Sequence, residues 1–84
     1  MKLVMVYREN SEARAVAETF MREFKMQTGR DVEVVNPETR DGQNFIEVYD
    51  VVEYPTLIAI GPDGSVVDKW RGMMPTISEA SAYN

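Results

Sequence analysis

Five apolar residues in a row, Leu3-Val4-Met5-Val6-Tyr7, stand near the start of the chain with no polar position among them. A run of that length without alternation predicts a central strand covered on both faces. Arg8-Glu9-Asn10 breaks it, and the period then changes to that of a helix. Ala13, Val16, Ala17, Phe20 and Phe24 recur at spacings of three and four, which predicts one buried stripe. Asn10 or Ser11 is placed to cap this helix, and Glu12 in its first turn suits the positive end of the dipole. Glu18 and Arg22 are spaced to pair on the polar side. Gly29 marks the C-terminal stop, with Lys25 in the last turns.

Val32, Val34 and Val35 predict a second strand, ended by Asn36-Pro37. A helix flanked by two strands implies a right-handed crossover, so these two strands should be parallel. A shorter helix is expected from about Asp41 to Asp50, burying Phe45, Ile46 and Tyr49, with Gly42 weakening its start. Thr56 to Ile60 is a third strand, again apolar on both faces. Pro62-Asp63-Gly64 is a turn signal, so Ser65 to Trp70 should return antiparallel. There Val67, Lys69 and Arg71 alternate with Val66, Asp68 and Trp70, a half-polar pattern that fits an edge strand. Thr76-Ile77-Ser78-Glu79 is a capping box opening a short last helix. The order βαβαββα predicts an α/β fold with a four-stranded mixed sheet, order 2-1-3-4, and helices on both faces. Val4, Val6, Phe20, Phe24, Leu57, Ile58 and Ile60 are expected to share one core.

With 84 residues, the chain is expected to form a single domain over residues 1–84 with a small core. Hydrophobic content of 44% and charged content of 27% point to a folded chain rather than a disordered one. No apolar run approaches the roughly 18 residues of a membrane span. The N-terminal run reads as a strand, not a signal peptide, so a cytoplasmic protein is expected, monomeric by default. Net charge is −5 and the sequence pI is about 4.6. The basic residues are dispersed among acids. Both features disfavour nucleic acid, whose phosphates need a basic stripe.

The chemistry is bounded by two zeros: there is no cysteine and no histidine. The most informative stretch is Val51-Val52-Glu53-Tyr54-Pro55-Thr56-Leu57-Ile58, a proline where an apolar strand begins. Pro55 gives up one ladder donor and holds Tyr54 extended. Such a proline is often preceded by a cis bond, which is expected here between Tyr54 and Pro55.

These residues make the chain resemble the thioredoxin-like superfamily in its compact, glutaredoxin-sized form. Three segments carry the resemblance. The first is the strand, loop and helix start from Val4 to Arg14. The second is Tyr49 to Leu57, similar to the family's cis-proline loop. The third is Gly64 with Val66, Val67, Trp70 and Gly72, similar to its final hairpin and closing glycine. The family's Cys-x-x-Cys, at the N-terminus of the first helix, matches Ser11-Glu12-Ala13-Arg14 here. Thiol–disulfide exchange needs an attacking thiolate, so this chain cannot perform it.

Other chemistry finds little support. Ser11 at a helix start has no histidine to act as its base, and a structural cap is the simpler reading. Glu38, Asp41, Glu47, Asp50 and Glu53 lack the regular spacing of a calcium loop and read as a solvated acidic face. Met5 and Met21 read as core filling, while Met73-Met74 falls beside the proline loop if the resemblance holds. No enzyme activity, cofactor or metal is expected.

The resemblance implies a groove that could bind an extended peptide or protein segment by strand addition without thiols. Its residues would be Tyr7, Arg8, Asn10, Ser11, Tyr54, Pro55, Gly72 and Met73, with Tyr54 and Met73 as apolar floor and Arg8 and Arg14 at the rim. The competing reading, of equal weight, is a relic groove in which Pro55 only sets the fold. Two alternatives stay open. Asn10, Ser11 and Arg14 could hold an anion or a glutathione-like tripeptide, or the edge strand Ser65–Arg71 could serve assembly. Were Ser11 a replacement for an original cysteine, a one-thiol role in redox homeostasis would follow.

Overall fold

The central apolar run becomes the second strand of a four-stranded sheet in the computed structural model, which describes residues 1–83. The elements are β1 (Lys2–Val6), α1 (Ala13–Thr28), β2 (Glu33–Val35), α2 (Arg40–Tyr49), β3 (Thr56–Ile60), β4 (Val66–Arg71) and α3 (Ile77–Ser81). Strand order is β2-β1-β3-β4, with β1 and β2 parallel and the other neighbours antiparallel. The topology and strand order are those predicted from the sequence.

The expected single core is two. Side chains alternate across a strand, so the sheet sends its apolar residues to both faces. Leu3, Met5, Tyr7, Leu57 and Ala59 meet Ala17, Phe20 and Phe24 of α1 and Ala80 of α3. Val4, Val6, Ile58 and Ile60 lie on the other face with Val51, where half-buried Phe45, Ile46 and Tyr49 of α2 cover them. Phe20 and Phe24 therefore share a core with Leu57 but not with the four β-branched residues.

Helix α1 departs from expectation in three places. Val16 is 46% exposed, so the buried stripe narrows to Ala17, Phe20 and Phe24. Glu12, not Asn10 or Ser11, occupies the cap position, and no side chain caps the helix. The Ser11 hydroxyl instead donates to the Arg8 carbonyl at 2.7 Å. Glu18 pairs with Arg14 (3.2 Å), not Arg22. Val32 lies outside β2, half-buried against the α1 face.

Gly42 strengthens the start of α2. It is buried, and its N–H donates to the capping Thr39 hydroxyl at 2.9 Å. A β-carbon there would run into the Asn36 carbonyl. The glycine is a close-approach site, and the backbone of Asn36 cannot yield as a flexible side chain would. Gly42→Ala is expected to destabilise the fold by about 1–3 kcal/mol, despite alanine's better helix propensity. The midpoint of urea unfolding checks this, and an unchanged or raised midpoint contradicts it.

The β3–β4 hairpin closes through Gly61 N–H to Ser65 O at 2.8 Å, with Gly64 at φ +85°. A register shift opposite Ala59 and Ile60 leaves both Val66 and Val67 exposed. The capping box at α3 forms in full, Thr76 and Glu79 exchanging side-chain and backbone hydrogen bonds.

Candidate functional site

Three chain segments meet at the C-terminal end of β1. The strand delivers Tyr7 into the α1-side core and Arg8 to the surface. Val51, buried on the α2 face, anchors the chain entering the proline loop. The fully buried Thr56 hydroxyl donates to the Glu53 carbonyl at 2.7 Å and folds that loop on itself. The Tyr54–Pro55 peptide is cis. After β4 the chain turns at Gly72, whose φ is +77° and whose N–H donates to the Pro55 carbonyl at 2.8 Å. That bond ties the proline loop to the segment carrying Met73.

The predicted residues fall into three groups. Arg8, Tyr54, Pro55, Gly72 and Met73 are brought together. The Arg8 guanidinium lies over the Tyr54 ring, 5.5 Å from its centroid, so Arg8 covers an aromatic face instead of standing free at a rim. Met73 is 83% exposed beside the Gly72 turn. Tyr54 lends neither its N–H nor its C=O to a hydrogen bond among the described residues. Tyr7 is only 5% exposed and lies in the core beneath the site, not on its surface. Burial raises its phenol above the usual value, and the carboxylates of Glu18 and Glu9 add to the effect.

Asn10, Ser11 and Arg14 form a third group, in the turn entering α1. The Arg14 N–H donates to the Ser11 carbonyl at 3.2 Å, so residues 11 and 14 stand one turn apart. Among the described residues, none of the three hydrogen-bonds to the proline loop or to the Gly72 turn. Arg14 is committed to Glu18, and that hydrogen bond holds its guanidinium above its ordinary value. An incoming anion would have to displace Glu18 and approach past Glu9 and Glu12.

Two nearby residues were missed by sequence reasoning. The Glu53 carboxylate crowds Gly72, and a β-carbon on that glycine would lie 3.0 Å from Glu53 Oε2. Val52, in the loop before Pro55, is 64% exposed. The available signal was Pro55 itself, since the residues just before it belong to a loop. Among the described residues no group of three or more acidic side chains is arranged to hold a metal ion. No helix among them is long and apolar enough to cross a membrane.

This architecture, a β2-β1-β3-β4 mixed sheet with helices on both faces and a proline loop tied to a closing glycine, is a thioredoxin-like fold. Solved structures agree. Thioredoxin 1 from the thermophilic eubacterium Thermosipho africanus TCF52B superposes with a TM-score of 0.69 at 14% identity, covering 99% of this chain and 89% of its own. A malarial protein superposes with a TM-score of 0.67 at 11% identity, covering 96% of this chain and 89% of its own. At such identities the likeness defines the fold alone. No protein-family model and no curated protein matches the chain. The fold is present without a single cysteine, and thiol-based redox chemistry is therefore unavailable to it.

Proposed function

We propose that this chain is a redox-inactive thioredoxin-fold module that binds an extended peptide or protein segment in the groove beside Pro55. The observation that carries the reading is Met73, an apolar side chain held at 83% exposure on a turn hydrogen-bonded to Pro55. Exposed large apolar residues become informative where they adjoin other recognition groups. Met73 follows the Gly72 turn tied to the proline loop, where the Tyr54 main-chain N–H and C=O, without a partner among the described residues, can pair with a passing strand. A thioether adapts its shape to varied partners, and on the proline loop the Arg8–Tyr54 stack supplies a flat surface. None of these interactions requires a thiol, so the module acts by binding and not by catalysis.

The test is affinity capture from the native cell extract. Met73→Asp places a charge on the exposed apolar contact without touching either core, and it is expected to weaken the captured partner about tenfold or more. Val67→Lys, on the β4 edge away from the groove, is expected to leave capture unchanged. The opposite pattern would reject the groove and move the interface to the edge strand.

A further inference from the structure

At the opposite end of β1 from the proline loop, a cavity of about 420 Å³ opens between the start of that strand, the segment after α1 and the end of α3. Leu3, Phe24, Val32 and Tyr83 give it apolar surface, and Lys2, Arg30, Asp31 and Glu33 supply the charged part of its wall. This lies within the usual size range of small-molecule pockets, which pair apolar walls with a few fixed polar groups.

Arg30 is the group that sets the chemistry. Its guanidinium lies 5.5 Å from the Phe24 ring centroid and donates to the Ser81 carbonyl at 3.3 Å. Those two contacts fix its orientation and use one of its five donors. The neighbouring charges are already matched: Lys2 with Glu33 at 3.6 Å, and Lys25 with Asp31 at 3.3 Å. Among the described residues Arg30 has no carboxylate within ion-pair distance. The cavity's two carboxylates, Asp31 and Glu33, thus have lysine partners, and Arg30 remains as a pinned cation beside the apolar part of the wall.

We infer that this cavity binds a small organic carboxylate with an apolar body, the carboxylate paired to Arg30 and the body resting on Leu3, Val32 and Tyr83. A guanidinium fork suits a carboxylate with two parallel hydrogen bonds. The apolar lining favours a hydrocarbon or aromatic body over an inorganic anion. The site is separate from the groove beside Pro55 and does not depend on it.

The probe is phenylacetate, titrated into the full ¹⁵N,¹³C-labelled chain and followed by NMR. Saturable shifts are expected at the Arg30 side chain, Leu3, Val32 and Tyr83, with a dissociation constant of ~1 mM or tighter. Acetate, lacking the body, and benzyl alcohol, lacking the charge, are each expected to bind at least tenfold more weakly. Arg30→Gln should weaken phenylacetate tenfold or more. Arg30→Lys, which keeps charge and stem but not the fork, should fall between the two. Amide spectra of both variants must match the parent away from the cavity, which separates lost binding from lost folding. Shifts spread over the surface, equal response to benzyl alcohol, or full binding by a folded Arg30→Gln chain would overturn the assignment.

Discussion

Replacing Phe24 by alanine should remove about 3–5 kcal/mol of folding stability, the typical cost of truncating a buried phenylalanine. Phe24 is 1% exposed and is the largest fully buried side chain. It stacks on Phe20 with ring centroids 5.9 Å apart, and Arg30 closes its other side. Its neighbours in the α1-side core belong to the sheet and to two helices and cannot fully collapse into the space, so a cavity remains and its cost is added to the lost transfer energy. Domains of ordinary stability have only roughly 5–15 kcal/mol in total, and a chain this short falls toward the low end. Most of the fold's margin is therefore at stake in one ring. Val16→Ala, on the same helix but 46% exposed, should change stability by no more than about 0.5 kcal/mol. Urea unfolding of both variants checks the pair. Similar losses at the two positions would mean that α1 is phased differently on the sheet.

The second large effect is a gain. The parent chain, without thiols, should reduce no disulfide with any thiol donor. A Ser11→Cys, Arg14→Cys double variant restores the spacing at the turn entering α1, where the Arg14 N–H already meets the Ser11 carbonyl at 3.2 Å. The helix N-terminus should lower the first thiol's pKa below the free value of about 8.5. Glu9 and Glu12 oppose that shift, and the loss of Arg14 removes a favourable charge, so the lowering should be modest. Expected results are an intramolecular disulfide on mild oxidation and measurable disulfide exchange. Thiols that titrate at the ordinary value and never bridge would show that this turn does not occupy the catalytic position of the fold.

The elements were legible because their periods differ. Leu3–Tyr7 and Leu57–Ile60 run without polar interruption, as strands covered on both faces do, while Ala17, Phe20 and Phe24 repeat with the period of a helix. The division of the core was harder to see, because a strand covered on both faces carries no alternation to say which residue faces which helix. Gly42 was misread because propensity registers the missing side chain and not the Asn36 carbonyl it makes room for. At the site, Pro55 and Gly72 were legible as backbone signals. The stack of Arg8 on Tyr54 and the pairing of Arg14 with Glu18 were not. Each depends on where a side chain turns after the backbone is fixed, and exposed rotamers leave no period in the sequence.

Recognition in the groove beside Pro55 is tested most directly by mapping amide shifts of the ¹⁵N-labelled chain on addition of its captured partner. The largest changes are expected at Arg8, Tyr54, Gly72 and Met73, weakened together by Met73→Asp. Changes centred on Val66 and Val67 of the β4 edge, with Tyr54 and Met73 undisturbed, would contradict the account.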